Sequence, residues 1–103
     1  MSLLLNTKKR KSTSTNPDPH WNNVVLFLKG DGTNDSTNIV DSSPTPKTVS
    51  VFGNARISTA QSKYGGSSIY FDGAGDYLNL AGNTDFVFGT SDFTIEAWAY
   101  FTI

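Results

Sequence analysis

The chain has no cysteine, one histidine, one methionine and one glutamate among its 103 residues. The missing cysteine excludes a disulfide-stapled module and any thiolate metal site, and it fits folding under reducing conditions. The lone His20 has no evident partners for a metal site, a general base or a Ser-His-Asp set, so it reads as a boundary or packing residue. No apolar run approaches the ~18 residues that a membrane span requires. Leu3, Leu4 and Leu5 are too few for a signal h-region, and the basic cluster follows them instead of preceding them. Acid and base nearly balance at a net −1, but unevenly: Lys8, Lys9, Arg10 and Lys11 are half of the 8 basic residues. The rest of the chain carries 4 basic and 9 acidic residues, a net of −5. Such a body does not attract nucleic acid by charge. Neither nucleic-acid binding nor membrane insertion is expected.

What is present points to an all-β structure. Aromatic residues make up 13% of the chain against a hydrophobic total of 37%. Large rings can fill the thin core of a small β-protein. Gly, Ser, Thr, Asn and Asp are abundant and mark many turns. A chain of this length forms one domain at most and buries roughly 60–65% of its unfolded surface.

Residues 1–19 differ from the rest. Three leucines, the basic run, a Ser/Thr/Asn stretch and Pro17-Asp18-Pro19 cannot form a core alone. They read as a flexible tail, or as an arm that orders on a neighbouring protein. In the second case Leu3, Leu4 and Leu5 make the apolar contact, and Lys8, Lys9, Arg10 and Lys11 meet an acidic surface. The body is residues 20–103. Its apolar run at residues 24–28, Val-Val-Leu-Phe-Leu, fits a strand covered on both faces. A polar loop follows over residues 30–46, with Ile39 and Val40 as an apolar latch. Strand character resumes at residues 48–59. Residues 64–80 read as a β-hairpin: Ile69 and Phe71 alternate with polar neighbours up to Asp72-Gly73-Ala74-Gly75-Asp76, and Leu78 and Leu80 alternate away from it. Phe86 and Phe88 anchor a second loop at the core edge. Residues 93–103 alternate cleanly, with Phe93, Ile95, Ala97, Ala99 and Phe101 on one face and Thr94, Glu96, Trp98, Tyr100 and Thr102 on the other.

In order and spacing, the pieces VVLFLKGDG (24–32), Asp41-Ser42-Ser43, residues 62–66, residues 69–80 and residues 92–98 resemble the laminin-G-like, concanavalin A-like sandwich domains. The variety most resembled occurs in phage tail-fibre and bacterial surface proteins. The resemblance implies an antiparallel two-sheet jelly roll. It also implies several further strands after residue 103, so the sandwich is expected to be incomplete at its C-terminus and completed by more chain or by neighbouring subunits.

Three chemistries fit such a frame. Glycan binding uses an aromatic platform with a few fixed polar groups, and Trp98, Tyr100, Glu96 and Thr94 have that composition. Packing under a covering loop or strand accounts for the same aromatics. Calcium, which the resemblance implies for some relatives, needs oxygen ligands, and Asp31, Asp35, Asp72 and Asp76 are the candidates. Asp31-Thr33-Asp35 is not an EF-hand loop, because Ser36 and Ser42 stand where Gly and Glu are required. As turn formers, Asp72 and Asp76 need no metal. Glycoside hydrolysis needs two carboxyl groups facing across the bond. Glu96 lacks a second on its strand, so no catalytic residue is assigned and a glycosidase fragment is only a remote alternative. The expectation is a non-catalytic, multicopy virion protein without a required cofactor, tail-associated in a phage or else on a bacterial cell surface. Its arm would dock to other virion or surface proteins, and its sandwich would recognise glycan. The alternative is a purely structural decoration, cement or adaptor protein.

Overall fold

The computed structural model describes Ser2–Leu4 and residues 19–102. The fold is all-β, in two antiparallel sheets. The strands are β1 (Ser2–Leu4), β2 (Val49–Phe52), β3 (Arg56–Ser58), β4 (Ser68–Tyr70), β5 (Tyr77–Leu80) and β6 (Trp98–Tyr100). The only helical pieces among the described residues are single 3-10 turns at Trp21–Asn23 and Thr84–Phe86. One sheet has the order β3-β4-β1-β6, and the other pairs β2 with β5.

Residues 64–80 are not a hairpin. Ile69 of β4 faces Ile57 of β3, while Leu78 of β5 faces Val51 of β2 in the other sheet. The ribbon made by residues 49–58 and 68–80 therefore pairs twice and bends between the two pairings. At the bend, six residues (71–76) lie opposite three (53–55). Such a mismatch turns a ribbon and lets its strands switch sheets. Period 2 shows which side chains share a face, but it does not name the partner strand. The Asp/Gly cluster could close a turn on itself. Instead it receives the backbone N–H of Asn54 from the facing strand, on Asp76 Oδ1.

The core draws on both sheets. Ala55, Ile57, Ile69 and Phe71 are buried with Leu28 and Ile39, and Val49, Val51, Leu78 and Leu26 pack against them. Ile39 thus latches its loop as its apolar character predicts, whereas its neighbour Val40 faces water.

The run at residues 24–28 is not a ladder strand. It makes one bridge, Leu28 to Asp41. The Phe27 carbonyl accepts from Ser42 N at 2.8 Å, but the Phe27 N–H donates to the Asp41 side chain at 3.0 Å. A carboxylate in the place of a backbone carbonyl stops the ladder from propagating. Likewise, only three of residues 93–102 are strand, because Trp98, Ala99 and Tyr100 pair with the three residues of β1. Phe93, Ile95 and Phe101 share a parity as expected, but they lie exposed rather than in the core.

Candidate functional site

Strand order brings two separate pieces of chain to the β6 edge. Trp98 and Tyr100 belong to β6, two places from β4 in the sheet. Lys63 and Tyr64 sit in the turn that leads into β4. The Tyr64 ring meets Trp98 edge-on, with centroids 6.5 Å apart and planes at 75°. Lys63 Nζ lies 4.6 Å from the Trp98 centroid and 5.8 Å from that of Tyr64. Trp98 and Tyr100 remain 45% and 44% exposed, too open for core residues. An indole face partly in water beside an ammonium offers C–H/π stacking together with N–H donors.

The expected polar members do not join this group. Thr94 and Glu96 are exposed in the irregular segment before β6, and neither makes a hydrogen bond or ion pair with the described residues. Lys63 and Tyr64 supply the polar part instead. Nothing local in the sequence places them beside Trp98, because the contact depends on β1 lying between β4 and β6. Tyr70 and Tyr77 lie in different sheets. Tyr70 lies under the Arg56 guanidinium at 4.5 Å, and Tyr77 stacks on Phe52 at 4.7 Å in the other sheet.

The four acidic candidates fall into different places. Asp72 and Asp76 do converge, at the bend of the ribbon, and all four of their carboxylate oxygens accept N–H groups. Asp72 Oδ1 accepts from Ala74 N at 2.8 Å and Oδ2 from Asn54 Nδ2 at 2.9 Å. Asp76 Oδ1 accepts from Asn54 N and Oδ2 from Asp72 N. The Asn54 amide, then the Ala74 N–H, hold the Asp72 carboxyl below its ordinary range. Asp35 pairs with Arg56 Nε at 3.0 Å. Asp31 is exposed beside the shallow recess lined by Lys29, Ile39 and Ser42. Among the described residues no three His, Cys, Asp or Glu side chains converge as metal ligands would. Of the arm, Leu3 and Leu4 lie in β1, paired between β4 and β6. Leu5, Lys8, Lys9, Arg10 and Lys11 lie outside the described residues.

Two further residues organise the structure. Asp41 is 2% exposed and accepts four hydrogen bonds: Phe27 N at 3.0 Å and Ser43 N at 2.9 Å on Oδ1, Ser43 Oγ at 3.0 Å and Lys47 N at 2.9 Å on Oδ2. Burial pushes its pKa up. The three backbone N–H groups and the Ser43 hydroxyl together outweigh that and leave it below the ordinary value. Lys47 Nζ donates to Val25 O at 2.6 Å and Thr45 O at 3.0 Å, and pairs with Asp85 at 3.1 Å. It therefore ties the turn at Thr84–Phe86 to the start of the folded body. Asp41-Ser42-Ser43 reads from sequence as part of the polar loop at residues 30–46, and only its position after Ile39 and Val40 hints at a buried carboxylate.

Comparison with family models, with curated proteins and with solved structures finds no match.

Proposed function

We propose that this chain is a non-catalytic recognition module, laminin-G-like in type, whose β6 aromatic edge binds glycan. One observation carries the reading: Trp98 and Tyr100 stand half in water on a sheet edge, with Lys63 and Tyr64 beside the indole. A pyranose ring can lie on an indole face, while the ammonium and the phenol hydroxyl donate to its oxygens. Each such contact is weak, and a multicopy setting such as a phage tail or a bacterial surface would sum many of them. In the same reading Lys8, Lys9, Arg10 and Lys11 meet an acidic surface of a neighbouring virion or surface protein.

The test is retention on host-surface polysaccharide, measured by affinity electrophoresis. Trp98→Ala is expected to weaken retention at least ~10-fold, about 1.4 kcal/mol. Trp21→Ala, which removes another partly exposed indole, should leave it unchanged. Absence of retention by the parent chain across bacterial surface polysaccharides, or equal retention by both variants, would refute the reading.

A further inference from the structure

We propose that the β6 edge is completed by a second copy of this chain, strand to strand and antiparallel. β6 ends the sheet, and β1 is its only partner among the described strands. Phe93, Ile95 and Phe101 are 58%, 81% and 69% exposed. These three side chains, on one parity of the segment, leave roughly 400 Å² of apolar surface in water, at about 200 Å² for each fully exposed large residue. Contiguous apolar patches of this size on a small protein commonly mark interaction sites. Natural edges are commonly blunted by Lys, Pro or a bulge. Residues 93–102 contain no Lys and no Pro, and Glu96 is their one charge.

The segment matches itself. With the two-fold axis at Trp98, Phe101 faces Ile95, Ala99 faces Ala97, Tyr100 faces Glu96 and Thr102 faces Thr94. Large residues meet large ones, small meet small, and no like charges are opposed, as a closed symmetric interface requires. An axis at Glu96 would oppose two carboxylates. Pairing of this kind extends β6 in both directions and places the two Trp98 residues side by side. The proposal does not rest on glycan binding.

Sedimentation equilibrium of the full chain tests it. The expected mass is twice 11.2 kDa. The double variant Ile95→Lys, Phe101→Lys should return to the single-chain mass and still unfold cooperatively, because both side chains already face water. The chain has no cysteine, so Trp98→Cys introduces the sole thiol. In this register its partner lies within disulfide reach, and mild oxidation should yield a covalent dimer. Thr102→Cys, opposite Thr94, should stay uncrosslinked. A chain that is monomeric at every concentration would overturn the proposal, as would one forming open-ended assemblies. So would a dimer that survives the double variant, or crosslinking at position 102 but not at 98.

Discussion

Asp41→Asn alters one atom at the place where four hydrogen bonds meet, so its cost can be worked from the structure. With the amide oxygen in the Oδ1 position, the bonds from Phe27 N and Ser43 N survive. The amide nitrogen then faces the Lys47 N–H, donor against donor, and the Ser43 hydroxyl can rotate to accept. One charge-assisted bond is lost and one part-buried N–H is left without an acceptor, a cost of about 2–3 kcal/mol. For a domain of this size that lowers Tm by roughly 10–20 °C. Asp41→Ala strands the N–H groups of Phe27, Ser43 and Lys47 together. At ~1–3 kcal/mol each, the loss approaches the roughly 5–15 kcal/mol that holds such a domain folded. The alanine variant should be largely unfolded at growth temperature. Thermal and urea melts followed by circular dichroism suit the measurement, because Trp21 and Trp98 are already partly exposed and report folding weakly. The pH dependence adds a second arm. The folded pKa of Asp41 lies below the ordinary aspartate value. Its contribution is therefore full above the unfolded pKa and disappears as pH falls through the lower folded one. Parent and Asp41→Asn should converge in stability on acidification below about pH 4. Asp72 is also held low, so the difference between the two proteins, not either curve alone, is the readout. An asparagine variant that melts within about 2 °C of the parent at neutral pH, or a stability gap that does not narrow in acid, would refute this account of Asp41.

Two further substitutions probe the bend and the lysine tie. Gly53 and Gly73 both have positive φ, +73° and +87°, but an added Cβ at Gly73 meets nothing, whereas at Gly53 it meets the Asp76 carboxylate and comes within 2.9 Å of Gly75 O. Gly73→Ala should cost about 1–2 kcal/mol of backbone strain and Gly53→Ala roughly 1–3 kcal/mol more, with equal losses in urea melts counting against close packing at the bend. Lys47→Met keeps the buried stem but drops the bonds to Val25 O and Thr45 O and the pair with Asp85. A loss of about 1.5–3 kcal/mol is expected, with earlier proteolytic cleavage near Thr84–Phe86, and unchanged cleavage there would show that the tie does not hold that turn.

The core face was largely legible because it depends only on period 2: alternation puts Ile69, Phe71, Leu78 and Leu80 on one face, and the first three join the core while Leu80 stays half-buried at its edge. The partner strands were not legible. An Asp/Gly cluster signals a change of direction, and a tight reversal and a bend between sheets use the same residues. What separates them is a hydrogen bond from Asn54, 22 residues earlier, to Asp76. The run at residues 24–28 failed for a related reason, since its apolar character says nothing of the side-chain carboxylate that takes Phe27 N. Trp98 and Tyr100 could be found as candidates from alternation alone. Their neighbours Lys63 and Tyr64 could not, because that contact exists only once β1 has entered the sheet between β4 and β6.

The distribution of the core has a functional consequence. Among the residues whose burial is described, every buried or core-packed hydrophobic residue lies between Leu26 and Leu78, while the exposed aromatics of β6 and its approach lie between Phe93 and Phe101. Folding energy and edge chemistry are therefore carried by different stretches of chain. Substitution at an exposed site away from core, caps and strained backbone costs little stability, so the β6 edge is free to vary its chemistry on a frame that Asp41, Lys47 and the Asp72–Asp76 bend hold in place. A loss of binding or of self-association in β6 variants can accordingly be read as loss of contact rather than loss of fold. The same substitutions at Ile57 or Ile69, both fully buried, could not be read that way.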